Sequence, residues 1–183
     1  ISHMIFQKAC MDMIGLGYAT DIYKLPIIVT RFSNIYGPGQ LNFSALIPDL
    51  IKCSLGYGKF IPRSNGLAIR DFLFIDDVVE LYLKLLEKLL NNKDSLRGQV
   101  FNAGCNKPIR IKDVILCVLD KNDLDNQKEI IFKKMKNIEA IGEIDCQYMD
   151  YEKVNKYTNW SPKTQLNKGI DITIEWYKKN IYK

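Results

Sequence analysis

Histidine is almost missing from this chain. Its one copy, His3, sits in Ser2-His3-Met4, a tripeptide that reads as the scar of an expression vector and is set aside. Without it, a Ser-His-Asp triad, a histidine general base and a histidine-ligated metal site are excluded together. Cysteine gives no framework either. Cys10, Cys53, Cys105, Cys117 and Cys146 form no Cys-x-x-Cys pair, are odd in number and follow no secretory signal, the usage of a reduced, cytoplasmic chain. Long apolar runs are lacking as well. The longest uncharged one, Leu25 to Thr30, is far short of the ~18 residues that cross a bilayer, so no membrane partner is expected.

Arginine is the next scarcity. The net charge of +5 comes mainly from lysine, with arginine only at 31, 63, 70, 97 and 110. The lysines are scattered among acids, as over Lys121 to Lys136, without the basic stripe and interleaved aromatics of a nucleic-acid binder. What is present is a globular composition: 183 residues, 47% hydrophobic and 26% charged, with 11 Gly and 6 Pro. Disordered, collagen-like and coiled-coil chains are excluded, and a chain this long can bury roughly 70% of its unfolded surface.

Strands alternate with helices along the chain, which predicts an α/β architecture. Phe6 to Tyr23 has helical spacing, with Ala9, Met13, Leu16, Gly17 and Ala19 as its apolar face. Lys24-Leu25-Pro26 stops it and opens Ile27 to Thr30, β-branched residues suited to a buried parallel strand with neighbours on both sides. A Gly/Pro/Asn loop over 34–42 leads to a helix from Ser44 to Leu55. Short strands are expected at Lys59 to Ile61, Asp71 to Ile75, Gln99 to Ala103 and Ile130 to Phe132. Asp76 is placed to cap a helix that buries Val78, Val79, Tyr82, Leu85, Leu86 and Leu89. Further helices are expected over Ile111 to Leu119, from Asp150 to Tyr157, and from Leu166 with Ile170, Ile174 and Tyr177 inward.

A ligand site belongs just beyond the carboxyl end of a parallel strand, which is where Arg31-Phe32-Ser33-Asn34-Ile35-Tyr36-Gly37-Pro38-Gly39 falls. This segment resembles the Arg-x-Ser-Asn-x-Tyr-Gly-Pro segment of the extended short-chain dehydrogenases/reductases that act on nucleotide sugars. Further segments agree in order: Ser44-Ala45-Leu46-Ile47-Pro48, then Ile61-Pro62-Arg63-Ser64-Asn65-Gly66 with Ala68-Ile69-Arg70-Asp71-Phe72 and Asp76-Asp77-Val78. Phe101-Asn102-Ala103-Gly104 and Asn159-Trp160-Ser161-Pro162, followed by Gly169 and Thr173 to Tyr177, complete the set. Within the family, Gly39 to Phe43 and Arg63 to Gly66 look closest to CDP-glucose and dTDP-glucose 4,6-dehydratases.

The resemblance implies a nucleoside diphosphate sugar as partner and NAD as cofactor, with hydride transfer at the sugar C4 and loss of water. It implies that Asn34 contacts the hexose or its phosphates, that Ala45, Leu46, Ile47 and Pro48 wall the nucleotide pocket, and that Ile61 and Pro62 lie beside the base. Arg70 would hold the diphosphate, a role that the paired bonds of a rigid guanidinium fork suit independently; the plainer alternative is an ion pair with Asp71 or Asp76. Asn102 and Gln147 would close the pocket, although Gln147 stands where many relatives carry Arg. Lys8, Ser33 and Ile35 would face the cofactor. Lys8 is the remnant of a catalytic Tyr-x-x-x-Lys whose four-residue spacing puts phenol and ammonium on one helix face; the Tyr position is Met4, which cannot serve as acid or base.

A glycine-rich turn for a dinucleotide is not found; Gly15-Leu16-Gly17 lies within a helix with no strand before it. The expectation is therefore the carboxyl-terminal part of an extended short-chain dehydrogenase/reductase, the last parallel strands and helices of its Rossmann-type fold plus the substrate-binding domain, with the dinucleotide-binding half missing. Residues 1–4 would be the scar, 5–43 the Rossmann remnant and 44–183 the substrate-binding region, with Rossmann elements interleaved over 71–104. Such a chain should be inactive alone and bind little or no NAD. A 4-epimerase fragment and a non-enzymatic nucleotide-sugar-binding module are the alternatives. The resemblance implies that the first helix is a dimer surface; from its sequence a core-facing helix is an equal alternative. Uncovered apolar surface leads us to expect self-association beyond a simple dimer, or marginal stability.

Overall fold

The computed structural model describes residues 2–121, 125–139 and 142–182. Helix α1 (Ser2–Tyr18) leads to strands β1 (Val29–Phe32) and β2 (Asn34–Tyr36), then helix α2 (Leu46–Ser54). Strands β3 (Ile69–Arg70) and β4 (Phe72–Phe74) precede α3 (Ile75–Asn91) and α4 (Lys93–Leu96). Strands β5 (Val100–Ala103) and β6 (Ile109–Arg110) are followed by α5 (Ile111–Asp120), α6 (Asp125–Met135), α7 (Glu152–Thr158) and α8 (Leu166–Asn180). β1 pairs in parallel with β5, Thr30 opposite Phe101. β2 pairs in parallel with β4, Ile35 opposite Leu73. β3 and β6 are antiparallel, and Cys146 adds a parallel bridge to Ile69.

β4 divides two cores, because side chains alternate across a strand. Phe72 and Phe74 join Tyr36, Ile47, Leu50, Ile51, Ile115, Ile170 and Tyr177 beneath α2, α5 and α8. Leu73 faces the other way and joins Val78, Leu81, Leu85, Phe101, Val154 and Trp160 beneath α3 and α7. Two glycines are required by contact. A Cβ on Gly37 would lie 2.4 Å from Ile75 Cγ2, and one on Gly169 would lie 2.1 Å from the Tyr36 hydroxyl oxygen.

Several local expectations are corrected. The first helix ends at Tyr18 rather than Tyr23. The Arg97 guanidinium takes the carbonyls of Ala19 and Thr20 at 3.0 and 3.1 Å, and Lys24 turns the chain with φ 53. Of the predicted apolar face only Ala19 is buried; Ala9, Met13 and Gly17 are exposed. β1 has one partner among the described residues and is half-buried to exposed. Lys59 to Ile61 is irregular, and Ile130 to Phe132 belongs to α6, where the i, i+4 pair Ile131 and Met135 is buried.

Helix α3 begins one residue before Asp76, with Phe74 at the cap position and no side-chain cap. Asp76 and Asp77 occupy its first turn, where carboxylates favour the helix dipole. Asp77, almost wholly buried, accepts from the N–H groups of Lys163 and Thr164 at 3.1 and 3.0 Å. The buried stripe of α3 is Val78, Leu81 and Leu85, while Val79, Tyr82 and Leu86 are about half exposed. A helix apolar on two sides does not reveal in its periodicity which side meets the core.

Candidate functional site

A cleft of about 1050 Å³ opens where β1 passes into β2, the strand-end position that ligands take in open parallel sheets. Ser33 and Asn34 form its floor. The Asn34 backbone N–H and its side-chain Nδ2 both donate to the Asp71 carbonyl at 3.1 Å. The side-chain amide is thereby fixed, and its Oδ1 has no hydrogen bond among the described residues. The Ser33 hydroxyl is buried and without a partner, a cost to the fold that a ligand hydrogen bond would relieve.

Asp71 holds this floor from behind. Its side chain is fully buried, and Oδ2 accepts from the Cys105 N–H at 2.8 Å. Burial pushes its carboxyl above the usual range, offset by backbone N–H groups that include Cys105 and Met149. The same carboxylate explains Gly104, where a Cβ would come within 2.2 Å of Asp71 Oδ2 and 2.8 Å of the Met149 carbonyl. The strand-end glycine keeps the 146–149 segment close over β5.

Arg70 extends the cleft into a lobe of about 380 Å³ that it shares with Lys8, Asn34, Glu143 and Gln147. Its Nη1 donates to the carbonyls of Ile69 and Ile144 at 2.8 and 2.7 Å, and Nη2 lies 3.4 Å from Glu143 Oε1. The ion-pair partner is thus Glu143, neither Asp71 nor Asp76. Gln147 is held by its N–H on the Ile69 carbonyl at 3.0 Å. Arg31 pairs elsewhere, its Nε donating to Asp12 on α1 at 2.7 Å.

The start of α2 forms the opposite wall. Ala45, Leu46, Ile47 and Pro48 all line the cleft, and no side chain caps the helix there. Lys8 and Ile35 line it too. Pro62 instead lines an adjoining pocket of about 170 Å³ with Phe60 and Asp49, while Ile61 is 70% exposed. Asn102 sits opposite Arg31 in the β1–β5 register and does not line the cleft. Of the sequence candidates, Lys8, Ser33, Asn34, Ile35, Ala45 to Pro48, Arg70 and Gln147 come together. Glu143, Asp49 and the Asp71 carboxylate were missed, and only Asp71 had a signal, its place directly after Arg70.

Burial beside Asp71 and Asp77 raises the Cys105 thiol to about 12, and its Sγ faces the Phe72 carbonyl at 3.1 Å. Burial likewise drives the Tyr36 phenol upward, and its hydroxyl donates to Leu166 O at 3.3 Å. Among the described residues no group of acids, cysteines and histidines could hold a metal ion. No helix among the described residues is long and apolar enough to cross a membrane. The Met4 side chain, at the position matched to the catalytic tyrosine, lies outside the described residues. Gly15 rests on Val29 and Ile27 within α1, and a Cβ on Gly17 would meet nothing within 4 Å. Neither glycine forms a turn that could cradle a dinucleotide pyrophosphate.

Residues 5–104 match the model of the NAD dependent epimerase/dehydratase family. The chain is 31% identical over 168 residues to human dTDP-D-glucose 4,6-dehydratase, a match covering 87% of this chain and 44% of that protein. It is 33% identical over 167 residues to dTDP-glucose 4,6-dehydratase 1 of Escherichia coli K12, covering 86% and 42%. Among solved structures, dTDP-glucose 4,6-dehydratase of Bacillus anthracis in complex with NAD superposes with a TM-score of 0.68 at 31% identity. That match covers 93% of this chain and 50% of the other. The chain therefore spans less than half the length of these curated relatives, and its α/β fold is that of their extended Rossmann-type class.

Proposed function

The chain belongs to the NAD dependent epimerase/dehydratase family, and from that premise we propose that its cleft is the nucleotide-sugar side of a 4,6-dehydratase. The observation that carries this reading is convergence. Asn34, Arg70, Gln147 and the first turn of α2 come from separated parts of the sequence and line one cleft at the strand ends. Relatives more than 30% identical bear the name 4,6-dehydratase, which supports dehydration over epimerisation.

Within this reading each residue has work it can do. Arg70 supplies fixed positive charge for a diphosphate, the Asn34 amide supplies a rigid acceptor for a sugar hydroxyl, and the apolar start of α2 excludes water. Among the described residues no glycine-rich turn receives the pyrophosphate of NAD, since Gly15 and Gly17 lie within α1. We propose that the 183-residue chain by itself binds the nucleotide sugar without turning it over. Exposed Phe6, Met11, Met13 and Ile14 on α1 and Leu83 and Leu90 on α3 support self-association of the chain.

Calorimetry tests the reading directly. The chain should bind a nucleoside diphosphate glucose and release no 4-keto product. Arg70→Ala should weaken binding by about 10- to 100-fold, the range of a charge-assisted hydrogen bond. Binding untouched by that substitution, or micromolar affinity for NAD with none for sugar nucleotides, would refute it.

A further inference from the structure

The pocket of about 170 Å³ beside the cleft is walled by Leu46, Phe60, Pro62, Ile111, Ile115 and Met135. Leu46 and Ile111 also line the main cleft, and Glu143 also lines the Arg70 lobe. The pocket thus shares walls with the proposed diphosphate site and offers a flat ring an apolar place to bury. Its polar rim is uneven. Arg63 donates through Nη1 to the Ser44 carbonyl at 3.0 Å, and Glu143 pairs through Oε1 with Arg70 while its Oε2 is buried without a partner. Asp49 has no hydrogen bond to its carboxylate among the described residues; it is half-buried in the first turn of α2, with only the charges of Arg63 and Lys52 to offset its desolvation. An acceptor so placed is completed by a ligand that brings a donor.

With the base of the nucleotide beside Pro62 in this pocket, as the sugar-nucleotide reading has it, we propose that Asp49 selects a pyrimidine with a 4-amino group, cytosine, over the 4-keto pyrimidines uracil and thymine. The proposal rests on the sugar-nucleotide reading and adds the identity of the base. A carboxylate accepts well from the cytosine N4 amine. Uracil and thymine set a carbonyl oxygen at that position, so two acceptors meet and both lose their water without a partner. Phe60 and Pro62 supply contact to any ring, so they add affinity without choosing. The choice falls to Asp49, the rim carboxylate that no guanidinium pairs among the described residues, whereas Glu143 is tied to Arg70.

The test is calorimetry on the full chain with CDP, UDP and dTDP, which carry the same diphosphate, and with inorganic pyrophosphate as the base-free probe. CDP should bind at least about tenfold more tightly than UDP or dTDP, the discrimination one good base contact gives. Asp49→Asn, whose amide can either donate or accept, and Asp49→Ser should both bring the ratio near one without weakening pyrophosphate, which loses a neighbouring negative charge; circular dichroism establishes that each variant is folded. UDP or dTDP binding as tightly as CDP would overturn the proposal, as would an unchanged ratio in both variants. If pyrophosphate binds as tightly as all three nucleotides, the base pocket fails while the diphosphate site stands. If none of the four binds, the sugar-nucleotide reading fails and this one with it.

Discussion

Replacing Gly169 by alanine should destabilise the protein even though it improves the helix. Gly169 lies in α8, where alanine in place of glycine gains about 1 kcal/mol of intrinsic helix propensity. Against that gain stands contact with the wall of the cleft. The new methyl would lie 2.1 Å from the Tyr36 hydroxyl oxygen, 2.8 Å from Tyr36 Cζ and 2.9 Å from Phe74 Cδ2, all inside the ~3.5 Å at which such atoms normally rest. Tyr36 and Phe74 are 2% and 1% exposed, so neither ring has free space to enter. Overpacking of this kind costs roughly 1–3 kcal/mol, and loss of the Tyr36–Leu166 hydrogen bond adds about 1 kcal/mol. The net loss is then about 1–3 kcal/mol, or a Tm lower by roughly 3–10 °C for a chain of this length. Gly17→Ala is the matched control, a helical glycine whose Cβ would meet nothing within 4 Å; it should be neutral or raise stability by up to about 1 kcal/mol. Urea unfolding of both variants, followed by tryptophan fluorescence, decides it. A Gly169→Ala protein as stable as wild type would refute the packing of α8 against Tyr36.

Two further perturbations probe the elements behind the cleft. Asp77→Ala strips the acceptor from the N–H groups of Lys163 and Thr164 and should lower the urea-unfolding free energy by about 2–4 kcal/mol, with Asp77→Asn losing less because one oxygen remains. Equal stability of all three proteins would contradict that tie. Asp71 makes a pH prediction with a defined sign. Its carboxyl is raised in the folded state from 3.8 by burial, so the folded protein holds that proton more tightly than the unfolded chain does. The Asp71 contribution should therefore favour folding below about pH 4 and fall away as pH rises through the raised value, flattening above it. The stability of wild type minus that of Asp71→Asn, followed from pH 3 to 7, should decline through this window, and a rise would be contradictory.

The parts of the fold legible in the sequence are those whose pattern has one solution. Val114, Ile115, Val118 and Leu119 on α5, and Ile170, Ile174 and Tyr177 on α8, bury one clear stripe. The alternation of Phe72, Leu73 and Phe74 places β4 between two cores. Apolar residues surround most of helix α3, and only the approach of β5 and α7 decides that Leu81 rather than Tyr82 turns inward. Ile130 to Phe132 has β-forming residues, yet burial of Ile131 with Met135 makes it helical, a case of tertiary contact outweighing propensity. In the site, the position of Asn34 follows from the strand before it, whereas Arg70 enters through the family resemblance and the fit of a guanidinium to phosphate. Glu143 is not legible, because its pairing with Arg70 spans 73 positions of sequence and no local pattern reports such a distance. Asp49 is hidden for a related reason: one carboxylate in the first turn of a helix reads as a favourable dipole contact until Phe60 and Pro62 are seen to line a pocket with it.

The most direct measurement is a crystal structure of the chain soaked with a nucleoside diphosphate glucose. The diphosphate should lie within hydrogen-bond reach of the Arg70 guanidinium, with the hexose against Asn34 and the nucleoside beside the first turn of α2. A ligand bound on another face of the molecule, with Arg70 still held by Glu143 and making no phosphate contact, would contradict the assignment of this cleft.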